Sequence, residues 1–389
     1  MLRFAHIFPR AAARSLAVCG VFGAMALAAA PTAGAKTVTF VLRGAGFGHG
    51  IGMSQYGAEG YAEHGAGYRD ILTHYYSGTE VGQSSDQSIR VILQQAVSAA
   101  KVAGVTQASG GVSLNASATY AIKRSGGQLK LYHGSKLMKA YSGNVLLTPG
   151  GGTTRLLGTA MNGVSNGRYR GALEVSASPL RGMAVVNVLN LDDYVQGVVP
   201  GEVPSNWKPA ALRAQAVAAR SYALTTDAGG SLFDQYPDTR SQMYRGVTAE
   251  TRATNAAVQD TAGQVVKYKG RTATTYFYST SGGQTENIEN VWYGTKPVPY
   301  LKSVVDPYDN ISPYHRWTVR FSRAALQARL GGYVKGKLKD VKVVKRGVSP
   351  RVITAVVIGT RGSKAITGVQ LRTLLGLRDT WVSFKRVTR

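Results

Sequence analysis

Between positions 44 and 52 every second residue is glycine: Gly44, Gly46, Gly48, Gly50 and Gly52, separated by Ala45, Phe47, His49 and Ile51. Read as an extended segment, it has one face of bare backbone and one carrying Ala45, Phe47, His49, Ile51 and Met53, because alternate residues of a strand point to opposite sides. A bare face lets a flat ring or another backbone approach to contact. A phosphate loop would continue with Lys-Ser or Lys-Thr, and Met53-Ser54-Gln55 stands there instead. A purely structural glycine turn is the other reading. A lone His49 fits a hydrogen-bonded structural histidine as well as a site residue.

Around this stretch the pattern is mixed. Thr37 to Leu42 alternates like a strand. Ser54 is placed to cap a helix ending near Gly65, and Tyr68 to Tyr76 reads as a second short helix. Residues 86–187 give many short alternating runs, such as Ile89 to Leu93 and Gln128 to Leu131, separated by Gly, Asn and Ser, which predicts a β-rich module of hairpins. A short element begins at Leu191-Asp192-Asp193-Tyr194 and is broken at Gly201-Glu202-Val203-Pro204. The spacing then predicts an alanine-rich helix from about Pro209 to Leu224, with proline at a start where its missing N–H costs nothing. A hairpin follows, Gln264 to Tyr268 and Thr272 to Ser279, turning at Lys269-Gly270. Beyond Pro313 the pattern is again β-rich, with short helices near 322–330 and 368–375.

The fold class expected is therefore α+β: a mixed, β-rich core with an alanine-rich helix, plus an inserted all-β module. The divisions expected are 1–35, 36–85, 86–187, 188–310 and 311–389.

Residues 1–35 read as a secretory signal, with Arg3, Arg10 and Arg14 ahead of an apolar run to Ala30 and small residues at Ala33-Gly34-Ala35. An uncleaved N-terminal anchor is the alternative; no other segment approaches the length of a membrane span. A lipoprotein reading of Leu16 to Cys19 is weakened by bulky Val18 and by the apolar run continuing past the cysteine. Cys19 is the one cysteine, so the exported chain has no disulfide framework, cysteine zinc site or cysteine nucleophile. The net charge of +26 is spread along the chain without a dense block, which speaks of partners rather than fold. For an exported chain the anionic partners met first are wall polymers and headgroups, not nucleic acid, and a basic, solvated surface with no such partner is the alternative reading. Tyrosine (21) outnumbers phenylalanine (9), giving aromatic surface with hydroxyls suited to a sugar-like ligand.

Glu202 is the sharpest candidate for chemistry. It follows the apolar Val198-Val199, with no acid closer in sequence than Asp193. Desolvation at such a place disfavours the carboxylate and raises its pKa toward the range of a general acid. Breaking a glycosidic bond needs an acid of this kind, and most glycosidases add a second carboxylate. No strong partner is evident: Asp192 and Asp193 read as turn and capping residues, and Glu286 and Glu289 follow a Gly-Gly loop. One carboxylate suffices if the substrate brings its own nucleophile, as the 6-hydroxyl of N-acetylmuramic acid can when it closes a 1,6-anhydro ring. A surface turn glutamate is the plain alternative. Arg220, on the alanine-rich helix, is either solvated or an anchor for sugar oxygens, and Gln215 shares a face with Tyr222. The loop Ser279 to Thr285 is either a ligand loop or an ordinary hairpin end. His64, His74, His133 and His315 are isolated and lack zinc-ligand spacing.

Val188 to Pro204, Ala211 to Ala223, Ser241 to Gly246, Thr261 to Val265, Tyr278 to Glu286 and Gly48 to Ala58 together resemble the sporulation stage II protein D / LytB amidase-enhancer family, over roughly half of the chain. The resemblance implies a lytic transglycosylase acting on peptidoglycan glycan strands, with the catalytic glutamate on Glu202. It also implies a substrate-binding set of Arg220, His49, Ser54, Gln55, Gln215, Tyr244 and Ser281. A non-catalytic enhancer that presents wall polymer to a cell-wall amidase is the rival the same resemblance allows. Two departures stand out. The Gly-His-Gly motif precedes the glutamate here instead of following it, which suggests a permuted order with the two ends of the chain brought together. Ser241 stands where some members carry a zinc-binding cysteine, so no metal and no cofactor are expected.

Overall fold

The structure, a computed structural model, describes residues 37–85 and 87–388. The expected signal segment and Cys19 lie outside the described residues. The architecture is α+β, with several separate sheets and helices packed against more than one of them.

The helices, in chain order, are α1 (Gln55–Glu63), α2 (Tyr68–Tyr75), α3 (Leu191–Glu202), α4 (Pro209–Thr225), α5 (Arg252–Asp260), α6 (Ile288–Val291), α7 (Arg323–Leu330) and α8 (Gly368–Leu375). Their starts follow local chemistry. Ser54, Thr251, Ser322 and Thr367 each accept a backbone N–H from the first turn of α1, α5, α7 and α8, satisfying a donor that the helix leaves unpaired. Gly376, in the left-handed region, ends α8.

Strands between Ser88 and Asn190 form two six-stranded antiparallel sheets. Residues from both sheets, including Val102, Ile122 and Leu131 on one and Val91, Val175 and Val185 on the other, meet in one apolar core. That core continues into α3 and α4 through Tyr194, Val195, Val198, Leu212, Ala216, Ala219 and Ala223. The opposite side of α4, through Ala214, Val217 and Ala218, packs on a second core with Ile51, Met53, Ile71, Leu72 and Val266. Alanine suits a helix pressed from two sides, because a methyl side chain lets the backbones on each side come close.

The two ends of the described chain are neighbours. Strand Val38–Ala45 is flanked antiparallel by Arg316–Ser322 and by Val382–Thr388, with Val38 opposite Thr388. This sheet and strands Leu338–Arg346, Val352–Gly359 and Gly362–Thr367 share a third core with α7 and α8. Adjacent ends are the geometry that a rearranged chain order requires.

Arg351 ties this C-terminal part to the loop at Ser281 and Gln284 and packs against Gly50 of the glycine-rich segment. It is 2% exposed, and its five N–H donors are all engaged. Nε and Nη2 reach the two oxygens of Asp379 at 3.0 and 2.8 Å, Nη2 also reaches Ser281 O at 2.8 Å, and Nη1 reaches Gln284 O at 2.7 Å and Ser349 Oγ at 3.3 Å.

Three local expectations are corrected. The glycine segment is not an extended two-faced strand: Gly46, Gly48, Gly50 and Gly52 all have positive φ, between 72° and 139°. The chain therefore loops, and a Cβ at Gly50 would fall 2.5 Å from Arg351 Nε while one at Gly52 would fall 2.1 Å from Tyr276 O. The chain does not break at Gly201; α3 runs on through Pro200 to Glu202. The hairpin turning at Lys269 and Gly270 has only Arg271–Thr272 as its second arm, and the residues beyond include Phe277–Tyr278, which pairs in parallel with Met53–Ser54.

The clamped helix gives a measurable expectation. Ala218 is fully buried, so Ala218→Leu overpacks the second core and should lower the unfolding free energy in a urea titration by about 1–3 kcal/mol. An unchanged midpoint would mean that this side of α4 is not tightly packed.

Candidate active site

Glu202 is the last residue of α3, and two glycines on that helix decide what lies beside it. A Cβ at Gly197 would fall 2.4 Å from the Tyr244 ring, and one at Gly201 would fall 2.2 Å from Met243 O. Without side chains there, the segment 242–246 lies directly against the helix, held by Arg245 N–H donating to Gly197 O and by Tyr194 OH donating to Gln242 Oε1. The close approach aims the Met243 N–H at Glu202 Oε1, 2.7 Å away. On the other side Gln55, at the start of α1, directs Nε2 to Glu202 Oε2 at 3.4 Å and to Gln215 Oε1 on α4 at 3.5 Å.

Burial pushes the Glu202 carboxyl above its ordinary value, while the Met243 N–H, the Gln55 amide and the charge of Arg245 pull the other way. The outcome is a carboxyl raised but still hydrogen-bonded. Glu202 opens into a cleft of about 310 Å³ whose other walls are His49, Tyr222, Tyr276, Phe277 and Trp292 on one side and the segment Thr239 to Ser241 with Met243 on the other. Among the described residues no other carboxylate lines it.

His49 is held by both ring nitrogens. Nδ1 accepts the Ile51 N–H at 3.1 Å, so Nε2 carries the proton and donates to Phe277 O at 3.1 Å. Burial, with the charge of Arg372 beside it, pushes its pKa down to about 3. The imidazole is thus a neutral wall of the cleft, its one N–H committed to Phe277 O and its lone pair to the Ile51 N–H. Its ring lies 5.5 Å from Trp292 and 6.3 Å from Tyr276, and Tyr276 lies 5.8 Å from Tyr222, giving a nearly continuous aromatic side.

Of the residues singled out in the sequence, the structure brings Glu202, His49, Gln55 and Gln215 together. It places the others elsewhere. Arg220 is fully buried, with Nε 2.6 Å from Asp192 Oδ1 and Nη1 2.9 Å from Gln264 O; its guanidinium locks α4 to α3 instead of facing a sugar. Asp192 accordingly is an anchor and not a turn residue. Tyr244 lies in the main core between Tyr169 and Tyr194, its hydroxyl donating to Asn187 Oδ1 at 2.6 Å. Ser54 and Ser281 are also buried: Ser54 Oγ accepts the N–H of Gly57 and of Ser281, and Ser281 Oγ accepts the N–H of Gly283. Neither lines the cleft. Ser241 lines the cleft and accepts the Tyr236 N–H. Among the described residues no group of three or more His, Cys, Asp or Glu could hold a metal ion.

The residues that sequence reasoning missed are Tyr222 as a wall, Tyr276, Phe277, Trp292, Arg240 and the Met243 amide. The aromatic run Tyr276-Phe277 and the Trp292 that follows Asn290-Val291 were visible as aromatics, but nothing local put them opposite Glu202. Arg240 is engaged with Asp238 and stacks on Tyr236 at 3.9 Å.

Comparison with known proteins gives the class to which this arrangement belongs. Residues 180–268, which contain α3, α4 and the segment carrying Met243, match the SpoIID family, described as stage II sporulation protein. The chain is 34% identical over 244 residues to the stage II sporulation protein D of Bacillus subtilis (strain 168), covering 56% of this chain and 68% of that protein. It is 35% identical over 219 residues to the protein of the same name from Bacillus amyloliquefaciens, covering 52% and 62%. An amidase enhancer of Bacillus subtilis (strain 168) is 38% identical over 136 residues, 35% of this chain and 18% of that protein. The chain belongs to the SpoIID/LytB family. These relatives support a cell-wall-related role and suggest an extracytoplasmic one, and no helix among the described residues is long and apolar enough to cross a membrane.

The locked imidazole has a consequence for pH. With a folded pKa near 3 against about 6.5 unfolded, only the unfolded state takes up this proton between those values. The contribution of His49 to stability is thus present above pH 6.5 and is lost as pH falls toward 3, by about tenfold in the unfolding constant per pH unit. The ring resonances of His49 should accordingly stay unshifted from pH 8 to pH 4.5 in an NMR titration; a midpoint near 6.5 would refute the locked geometry.

Proposed function

We propose that this protein is an exported peptidoglycan lytic transglycosylase, with Glu202 as its single general acid and base. The observation that carries the reading is a lone carboxylate, raised by burial, in a cleft with an aromatic side. Aromatic walls suit the apolar faces of sugar rings. A conventional pair of carboxylates is not available in this cleft, which favours a reaction in which the substrate supplies the nucleophile.

In this scheme the protonated Glu202 gives its proton to the departing glycosidic oxygen as the bond to the anomeric carbon breaks. The 6-hydroxyl oxygen of the same N-acetylmuramic acid then bonds to that carbon, and its proton passes to the Glu202 carboxylate. One C–O bond is broken and one formed, no water is consumed, and the products are a free 4-hydroxyl and a 1,6-anhydro end. The Met243 N–H holds one carboxylate oxygen in place throughout, leaving the oxygen near Gln55 for proton transfer. His49, neutral and fixed, orients the sugar without exchanging protons.

The amidase-enhancer relative keeps a second reading open: a protein that binds glycan strands and presents them to a cell-wall amidase without cutting them. Products separate the two. Purified protein incubated with glycan strands, both intact and stripped of stem peptides, should release 1,6-anhydro ends detected by mass spectrometry. Glu202→Gln, nearly isosteric and still able to accept the Met243 N–H, should lower that release by at least about 10²-fold while leaving strand binding in place. Because the acid must be protonated, the wild-type rate should fall as pH rises through the raised Glu202 pKa. Binding without anhydro ends from the wild type would favour the enhancer reading, and full turnover by Glu202→Gln would reject the catalytic role.

A further inference from the structure

A second pocket, of about 410 Å³, adjoins the Glu202 cleft, and His49 and Trp292 line both. Its far wall comes from the C-terminal part of the chain: Val352 and Ile353 on one side, and Val369 with Arg372 from α8 on the other. Tyr293, 96% exposed, stands at its rim. The pocket is apolar apart from Asn290, Thr367, His49 and Arg372.

Arg372 differs from the other arginines around the site. Arg220, Arg240 and Arg351 are each paired with an aspartate. Arg372 is half-buried, yet its guanidinium donates no hydrogen bond and forms no salt bridge among the described residues. The acid that acts on it electrostatically is Asp379, whose two oxygens are already hydrogen-bonded by Arg351 and by the Trp381 N–H. A half-buried cation with solvent-accessible planar donors, facing a pocket, is placed for something anionic to complete it. No acid lines the pocket to do so.

We propose that this pocket is a carboxylate subsite, in which Arg372 pairs with a carboxylate borne by a substituent of the glycan whose sugar ring lies in the Glu202 cleft. The inference rests on the glycan reading above. A guanidinium fork matches a carboxylate in a planar, two-bond geometry, and Val352, Ile353 and Val369 suit the methyl groups beside such a carboxylate. In a muramic acid strand that chemistry has two sources: the lactyl group itself once the peptide has been removed, or the stem peptide when it is attached. His49 and Trp292, shared by both pockets, would separate ring from substituent, so the second pocket reads what the sugar carries while the first holds what is cut.

The test measures binding by calorimetry to the full exported chain carrying Glu202→Gln, so that ligands stay intact. Three probes are compared: chitotetraose, which has no carboxylate; a tetrasaccharide of alternating N-acetylglucosamine and N-acetylmuramic acid with free lactyl groups; and the same tetrasaccharide carrying L-alanyl-D-glutamate. With Arg372 present, a carboxylate-bearing probe should bind more tightly than chitotetraose. Arg372→Gln should weaken that probe by about 10- to 100-fold and leave chitotetraose unchanged, with Arg372→Lys recovering part of the loss. Val369→Glu places a negative charge at an exposed position in the first turn of α8, where it does not harm the helix. It should weaken the same probe alone, and it carries the test if Arg372→Gln does not fold. Dependence on Arg372 with the free-lactyl probe only assigns the lactyl carboxylate; dependence with the peptide probe only assigns the peptide; either supports the subsite. Equal loss for all probes, or none, overturns the subsite while chitotetraose binding leaves the glycan reading standing. Absence of binding to every probe overturns both.

Discussion

The buried guanidinium of Arg351 is the interaction on which the geometry of the cleft depends. It meets a carboxylate, two backbone carbonyls and a hydroxyl, and in doing so it joins Asp379, the loop at Ser281 and Gln284, and the space left by Gly50. A buried ion pair is weak evidence for stability, because desolvating both charges offsets most of their attraction. Its effect here is on position. Every donor has a partner, and the side chain so held lies against Gly50, beside a looped segment that its own bonds to Thr280, Arg378, Tyr276 and Phe277 hold in place.

The rest of the cleft is built by close backbone approach. Gly197 and Gly201 let the chain at Met243 lie on α3, and α4 lies between two cores because it presents little but methyl groups. Glu202 then receives one hydrogen bond from a backbone amide and one from Gln55, which arrives from a segment 147 residues away in sequence. The carboxyl is thereby held without being neutralised by a full ion pair, which leaves its pKa raised. A salt bridge at the same place would have lowered it and removed its use as an acid. The family's features are thus met in a chain whose first and last described strands are paired neighbours.

The start of α1 was legible because capping is local: Ser54 accepts the N–H of Gly57, three residues on, and the structure adds Ser322 and Thr367 acting in the same way. Glu202 was legible through its apolar neighbours, and its motif through resemblance to relatives. Arg220, Ser54, Ser281 and Tyr244 were misjudged as substrate contacts for one shared reason. Each is polar, and each finds its partner far along the chain: Arg220 at Asp192, Ser54 at Ser281, Tyr244 at Asn187. A polar side chain looks available in a sequence until the residue that satisfies it is folded against it. The alternating glycines were misjudged in another way. Their spacing of two suggested a strand, but the feature they serve is positive φ, which spacing does not distinguish.

By itself the amino-acid order determined the α+β class, most of the helices, the Ser54 cap, the alanine-rich helix, a solitary acid beside an apolar run and the family. Those are properties of short windows, in which propensity, capping and hydrophobic period act over a few residues. Only the tertiary structure decided that α3 continues to Glu202, that His49 is a locked wall and not a proton carrier, that Arg220 is interior, and that Arg372 stands unpaired beside the cleft. Each of these depends on which groups are removed from water and which partners they meet there, and that is set by contacts between residues tens to hundreds of positions apart.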